Sequence, residues 1–245
     1  MTGRKRVAGQ RRGLRWLLLV SAMVMAPALG GQSVDRLVTN FDLIVFHTEF
    51  GPTPEPRVRK WTSPVRVYID SRAGDARTQR ELTATHMLLL QKLTTLDIGY
   101  TQNLAEANIV IVFERQNRLI QTVNQYLAEP IRDEKALHGS LCFGVYAANG
   151  DFQITKAVIG IPSDAAPSFG KLPACIIEEL TQVMGLPNDS DQVYPSIFND
   201  HSSDDFLTEQ DETLIRLLYD PRLVPGMDRT TALDKVRAIL SAKQE

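Results

Sequence analysis

The sequence predicts an α/β protein of the α+β type, in which helices pack on a mixed, twisted sheet. Two observations predict it. Strand-like apolar runs at residues 65–69 and 108–113 flank a helical pattern over residues 79–96. Two more strand-like runs follow, and three helical segments close the chain. Elements that alternate in this order build a sheet covered by helices.

The first half supplies two strands and two helices. Apolar residues alternate with polar ones at 65–69, which is typical of a half-buried strand. Residues 79–96 carry an apolar face at helical spacing, and His86 lies on that face, so we expect a packed core histidine. Residues 108–113 are continuously apolar, which predicts a central strand buried on both faces. A helix is predicted over residues 116–127.

The second half begins with a predicted hairpin. Strand-like runs at 141–147 and 152–161 are joined through Asn149 and Gly150, a pair that favours tight turns. A helix over 173–184 then ends at Gly185, as expected of a left-handed C-terminal cap.

Two helices end the chain, over residues 208–219 and 228–240. The first opens with Thr208 and Asp211 at the spacing of a capping box. We place the compact domain at residues 58–245. Residues 31–57 precede it as an N-terminal arm and linker, in which 34–49 is either a helix or an irregular arm.

Residues 1–30 have the pattern of a secretory signal peptide. A basic start is followed by an apolar stretch at 16–29 that is short for a membrane span, and then by small residues. We therefore expect cleavage near Gly30 and an exported, periplasmic or secreted protein with no transmembrane segment in its mature chain. The alternative is an uncleaved membrane anchor.

Charge excludes one class of partner. The first 30 residues hold six of the 27 Lys and Arg and no acid, so the remainder has 21 basic against 29 acidic residues, a net charge of −8. Nucleic-acid binding requires clustered positive charge on the protein. We expect no nucleic-acid partner.

Cys142 and Cys175 are the two cysteines of the sequence. In an oxidising compartment an even pair favours a disulfide, and a loop of this length gives about 3 kcal/mol of stabilisation. The alternative is a nucleophilic cysteine assisted by His138, four residues before Cys142.

The stretch from 178 to 188 has the spacing of a metal site. Positions 178 and 182 share a helix face, and a chain reversal at Gly185 can return Asn188 toward it. The stretch resembles the metzincin zinc-peptidase motif His-Glu-x-x-His-x-x-Gly-x-x-His. Glu179 stands at the general-base position, whereas Glu178, Gln182 and Asn188 stand at the three histidine positions.

Two later segments extend this resemblance. Residues 195–200 resemble the Met-turn beneath the metal, with Phe198 in place of methionine, and residues 207–219 resemble the closing helix of matrix-metalloprotease-like domains. The resemblance implies a metzincin-like, or zincin-like, core.

The chain as a whole is more similar to the bacterial family called domain of unknown function 2927, which comprises exported or lipoprotein-like proteins. The residues that carry this similarity lie at 59–61, 175–180, 185–189 and 196–200.

The substituted ligand positions point away from zinc catalysis. Zinc prefers imidazole and thiolate, whereas an oxygen-rich set suits a hard cation such as calcium and would hold it weakly. We therefore expect no resident cofactor, with zinc or calcium as the candidates if a metal binds. The predicted function is that of a pseudo-peptidase that binds a peptide or cell-envelope component without catalysis.

Two alternatives remain open at this stage. One is a metal-dependent peptidase or hydrolase in which Glu179 is the general base and His201 could supply an imidazole. The other is a structural role, with Glu178 and Glu179 on a solvated helix face.

Overall fold

The computed structural model describes residues 1–3, 33–50, 55–132, 137 and 139–242. The predicted signal peptide, with the cleavage near Gly30, and His138 lie outside these residues. The chain divides into two units, Met1–Gly31 and Gln32–Glu245, and every element below belongs to the second.

The second unit contains five strands, a set of helices and one short 3-10 turn. The strands are β1 (Val65–Ser71), β2 (Ile98–Tyr100), β3 (Ile109–Glu114), β4 (Phe143–Ala148) and β5 (Ile154–Pro162). The helices are α1 (Val34–Phe46), α2 (Ala76–Thr94), α3 (Gln116–Val123), α4 (Ala165–Ser168), α5 (Leu172–Gln182), α6 (Glu209–Leu218) and α7 (Arg229–Ser241). The 3-10 turn is Leu104–Glu106.

The five strands form one mixed sheet in the order β2-β1-β3-β5-β4. Strands β2, β1, β3 and β5 run parallel, and β4 pairs antiparallel with β5 at one edge. The predicted α/β class is thereby confirmed, and so is the hairpin that turns at Asn149. Its Oδ1 accepts hydrogen bonds from the backbone N–H groups of Asp151 and Gln153.

Strand β3 lies at the centre of the sheet and is buried throughout, as its continuous apolar run predicts. Side chains alternate along a strand, so Ile109, Ile111 and Phe113 enter the main core, while Val110 and Val112 join a smaller cluster on the other face. The main core lies between the sheet and helices α1, α2, α5, α6 and α7.

Helix α1 is part of this compact unit. Phe41 and Ile44 are fully buried in the main core, and the buried Asn40 Nδ2 donates to Gln210 Oε1 at 2.7 Å. Asp42 forms an ion pair with Arg229 of α7. The folded unit therefore begins well before residue 58, and residues 34–46 are a docked helix rather than an irregular arm.

Three elements differ from the prediction. Helix α3 ends at Val123 instead of 127, because the Asn124 side chain turns to bond the backbone N–H and C=O of Ile131. The short elements β2 and α4 were not predicted from the sequence. Among the described residues, no helix is both long and apolar enough to cross a bilayer.

Candidate functional site

Helix α5 is the scaffold of the site. Pro173 opens its first turn, where a missing N–H costs nothing, and most of its residues are buried. Just past its end, the Val183 carbonyl accepts a hydrogen bond from Trp61 Nε1 at 2.9 Å, and the Met184 carbonyl accepts one from the Tyr219 hydroxyl at 2.8 Å. These bonds satisfy the carbonyls that a helix end leaves unpaired.

Gly185 makes the sharp reversal after α5. Its φ is +111°, and a Cβ there would lie 2.2 Å from the Arg59 carbonyl oxygen. A side chain at this position would therefore be both strained and sterically excluded. The reversal predicted at Gly185 is confirmed, and it sends the following loop back along the helix.

Residues 195–200 lie beside that loop. Asp211 of α6 fixes them by accepting hydrogen bonds from Ser196 Oγ at 2.5 Å and from the Ile197 N–H at 3.0 Å. Phe198 is fully buried, and its carbonyl accepts a bond from the Ser190 N–H at 2.8 Å. This last bond ties the two loops together.

Three carboxylates converge where these loops meet α5. Glu178 comes from the helix, Asp189 from the loop after Gly185, and Asp200 from the end of the 195–200 segment. One oxygen of each lies within 4.8 Å of the others. Glu178 and Asp189 are half-buried, whereas Asp200 is exposed.

The carboxylates line a cavity of about 330 Å³ that also includes Glu49 from the segment after α1. Ser140 Oγ donates to Glu49 Oε1 at 2.9 Å. Lys171 also lines the cavity, but its Nζ forms an ion pair with Asp205 at 2.7 Å. The cavity is therefore strongly acidic. A second cavity of about 420 Å³ shares Glu49 and runs along β4.

The predicted disulfide is present and forms part of the cavity wall. Cys142, just before β4, is bonded to Cys175 of α5, and both residues line the acidic cavity. The bond holds the edge of the sheet against the helix that carries Glu178.

Glu179 lies behind these carboxylates. Its side chain is only 3% exposed and lines the cavity, and its Oε2 has no hydrogen-bond partner among the described residues. A Cβ on Gly144 would lie 3.1 Å from this oxygen and 2.9 Å from Val183 Cγ1. The glycine therefore allows β4 to close over the glutamate.

Burial and the repulsion of neighbouring acids raise the pKa of four carboxyl groups in the cavity, those of Glu49, Glu178, Glu179 and Asp189. Burial, reinforced by the charges of Asp189 and Asp200, raises the pKa of Glu178 well above its usual range, and burial together with Glu178 does the same to the pKa of Glu179. Burial is also the main cause that raises the pKa of Glu49 to about 7 and the pKa of Asp189 to about 8. Among the described cavity residues, Lys171 opposes this rise by lowering the pKa of Glu178, but its effect is smaller than those of burial and the neighbouring acids.

Thr181 lies two positions after Glu179 and therefore on the opposite side of α5 from it. Buried His86 of α2 places its Nε2 2.8 Å from Thr181 Oγ1, and this hydroxyl donates to the Ile177 carbonyl at 2.6 Å. His86 is thus the packed core histidine that its place on the apolar face predicts.

The residues at the predicted ligand positions separate in the structure. Glu178 lies in the cavity, but Gln182 Nε2 donates to Asp189 Oδ1 at 2.7 Å and Asn188 Nδ2 donates to the Leu43 carbonyl at 2.9 Å. His201 is exposed, within 3.5 Å of Asp191, and is not among the described residues that line the cavity.

Sequence reasoning did not assign Asp189, Asp200 or Glu49 to the site. The acidic run 188–191 carried a signal, since it resembles part of a calcium loop. Asp200 and Glu49 reach the cavity through tertiary contacts that have no local spacing pattern.

Comparison with known proteins gives one finding about the whole chain. A family model described as "Protein of unknown function (DUF2927)" matches residues 35–240, which span α1 to α7 and include the cavity residues. No curated protein is similar enough to the chain to count as a match.

Proposed function

The chain belongs to the DUF2927 family of proteins of unknown function, and from that premise we propose that it is an exported, non-catalytic binding protein. Its scaffold is peptidase-like, and its acidic cavity holds a positively charged ligand. The observation that carries the proposal is the convergence of Glu178, Asp189 and Asp200, with the nearest lysine paired elsewhere. Carboxylates that repel one another in a half-buried cavity favour a cation between them.

Several features support a metzincin-like scaffold. A buried helix carries Glu178 and Glu179, a glycine with positive φ follows, and the loop after it returns to the helix. A segment with buried Phe198 lies against that loop and is fixed by α6. These are the parts that the resemblance implies.

The side-chain contacts favour binding over zinc peptidase chemistry. Gln182 and Asn188, at two of the three ligand positions, are occupied by hydrogen bonds within the protein. The described cavity residues offer oxygen rather than imidazole donors. A catalytic zinc normally needs three protein ligands, most often with imidazole among them.

Two features support export. The basic and apolar start of the sequence has the pattern of a signal peptide. Cys142 and Cys175 are joined in a disulfide, a bond that persists in oxidising compartments.

A second candidate function is a metal-dependent hydrolase with Glu179 as general base. The observation in its favour is that Glu179 lines the cavity beside Glu178. Its test is peptide hydrolysis by the native protein with added Ca²⁺, Mn²⁺ or Zn²⁺, and loss of any turnover in Glu179→Gln. Turnover that this variant abolishes would replace the binding function with an enzymatic one.

The binding function is tested with a metal ion and with two organic probes that match in shape but differ in charge. Thermal unfolding and calorimetry would compare three probes on the native chain: Ca²⁺, arginine amide with its α-amine acetylated, and the equally acetylated and therefore neutral citrulline amide. We expect at least one cationic probe to bind and raise the melting temperature, while citrulline amide does neither. Glu178→Gln should weaken that binding, and Glu81→Gln, an exposed change on α2, should leave it unchanged. Absence of binding by every cationic probe would contradict the proposal.

A further inference from the structure

We propose that the ligand of the acidic cavity is a hard divalent cation of the Ca²⁺ type, coordinated by Glu178, Asp189 and Asp200. This inference rests on the proposed function and names the class of ligand. Of the three predicted ligand positions it keeps Glu178, and it replaces Gln182 and Asn188 by the loop residues Asp189 and Asp200.

The spacing of the carboxylate oxygens suits a single ion. One oxygen from each residue lies within 4.8 Å of the other two. Oxygen ligands of Ca²⁺ lie at about 2.3–2.6 Å, so one ion can bridge oxygens up to roughly 5 Å apart. The three side chains can therefore share one Ca²⁺ with little rearrangement.

The charge of the cavity favours a divalent ion over an amine. Three carboxylates converge, Glu49 adds a fourth on the same wall, and the ammonium of Lys171 is engaged by Asp205. An organic ammonium would offset one negative charge, whereas a divalent ion offsets two at a single point. A compact divalent charge is the better match to oxygens that converge.

An independent observation points to a ligand in the same place. Glu179 is only 3% exposed and lines the cavity, and its Oε2 has no hydrogen-bond partner among the described residues. Buried polar atoms in folded proteins are nearly always paired, so an unpartnered carboxylate oxygen needs an explanation. A cation bound in the cavity that Glu179 lines would supply this carboxyl group with an electrostatic partner.

The origin of the ligands favours calcium over zinc or magnesium. Asp189 and Asp200 come from loops, and the described donors of the cavity are oxygen atoms. Ca²⁺ accepts irregular sets of six to eight oxygens, whereas Mg²⁺ requires near-ideal octahedral geometry and Zn²⁺ favours nitrogen and sulfur.

The test is calorimetric titration of the full chain, stripped of metal with a chelator, with CaCl₂, MgCl₂, ZnCl₂ and arginine amide. We expect saturable binding of one Ca²⁺ and weaker binding of Mg²⁺. Asp189→Asn and Asp200→Asn should each weaken Ca²⁺ binding at least about tenfold. The matched control is Asp191→Asn, which lies on the same loop, is exposed and is not among the described cavity residues; it should bind as the native chain does.

The outcomes separate this inference from the proposed function. Binding of arginine amide without Ca²⁺ binding would overturn the cation site and leave the cationic-ligand function standing. Absence of binding by Ca²⁺ and arginine amide alike would overturn both. Ca²⁺ binding that Asp189→Asn and Asp200→Asn leave unchanged, with circular dichroism showing folded variants, would also overturn the assignment of ligands. Tighter binding of Zn²⁺ than of Ca²⁺ would overturn the assignment of the ion.

Discussion

The two faces of helix α5 bury polar side chains in opposite ways. On the face toward α2, Thr181 and His86 pair at 2.8 Å, and the threonine hydroxyl also bonds its own helix backbone. On the side toward β4, Glu179 lies behind the carboxylates of the acidic cavity, and its Oε2 has no partner among the described residues.

The comparison distinguishes polar groups that the protein pairs internally from one that the described residues leave unpaired. Glu179 and Thr181 are both buried residues of α5, so burial alone does not explain why one is fully paired and the other is not. The protein satisfies the polar groups of one face internally, because an unpaired buried group costs about 1–3 kcal/mol. Beside the acidic cavity, the described residues leave Glu179 Oε2 unpaired, and the cation that we propose would be its electrostatic partner.

The largest expected effect comes from a substitution at Gly185, which makes the turn that brings Asp189 to the acidic cavity. Gly185→Ala should lower the free energy of unfolding by about 3–5 kcal/mol, because strain at positive φ adds to a clash with the Arg59 carbonyl. Urea denaturation measures this. Gly150→Ala is the control, since a Cβ at Gly150 meets nothing within 4 Å. A loss below 1 kcal/mol at residue 185 would contradict the turn geometry.

The next effect separates the faces by pH. Burial lowers the pKa of His86 from 6.5 to about 4. Between these values the unfolded chain binds a proton at His86 that the folded chain does not. The contribution of neutral His86 to the free energy of unfolding is therefore complete above about pH 6.5 and falls with pH, by up to about 3 kcal/mol. Unfolding free energies measured from pH 7 to 4 should fall less steeply in His86→Gln than in the native protein. Equal slopes in the two proteins would refute this assignment to His86.

A smaller effect tests the satisfied face directly. Thr181→Val should lower the free energy of unfolding by about 2 kcal/mol, because it leaves buried His86 Nε2 without its partner. Thr85→Val on α2 is a matched control, since its hydroxyl makes the same bond to a carbonyl four residues earlier but is exposed. Chemical denaturation of the two variants measures the difference, and equal losses would show that the His86 contact contributes nothing.

The smallest expected effect is a gain in the free energy of unfolding, and it tests the carboxylates of the acidic cavity. In the presence of a chelator, Asp189→Asn should raise the free energy of unfolding by about 1 kcal/mol. It removes a carboxylate that burial and its acidic neighbours destabilise, and its Oδ1 can still accept from Gln182. Excess Ca²⁺ should reverse this order by stabilising the native chain alone. Thermal melts with and without Ca²⁺ measure both. Asp191→Asn should change stability by less than about 0.5 kcal/mol in either condition; destabilisation by Asp189→Asn in chelator would argue against repulsion.

The sequence predicted what local patterns and covalent constraints determine. The alternation at 65–69, the apolar run of β3, the Asn149 turn and the reversal at Gly185 each impose a backbone conformation through neighbouring residues. The disulfide followed from having two cysteines and an expected oxidising compartment.

What the sequence did not predict depends on distant contacts. Helix α1 joins the core because Asn40 and Asp42 meet partners far along the chain, and its own pattern allowed an arm as well. Asp189 and Asp200 face one cavity because the Ser190 N–H bonds the Phe198 carbonyl, which no spacing rule encodes. The predicted ligand positions, Glu178, Gln182 and Asn188, correspond to the three histidine positions of the metzincin motif. In the structure Gln182 and Asn188 hydrogen-bond within the protein instead.

The Cys142–Cys175 bond also gives the proposed export a consequence for the order of assembly. Thiols stay reduced in the cytosol and pair in oxidising compartments, so in an exported chain the wall between β4 and α5 is tied covalently only after translocation. On that proposal the carboxylates are present before the bond that holds this wall around them. Formation of the disulfide would then be the last covalent step in building the acidic cavity.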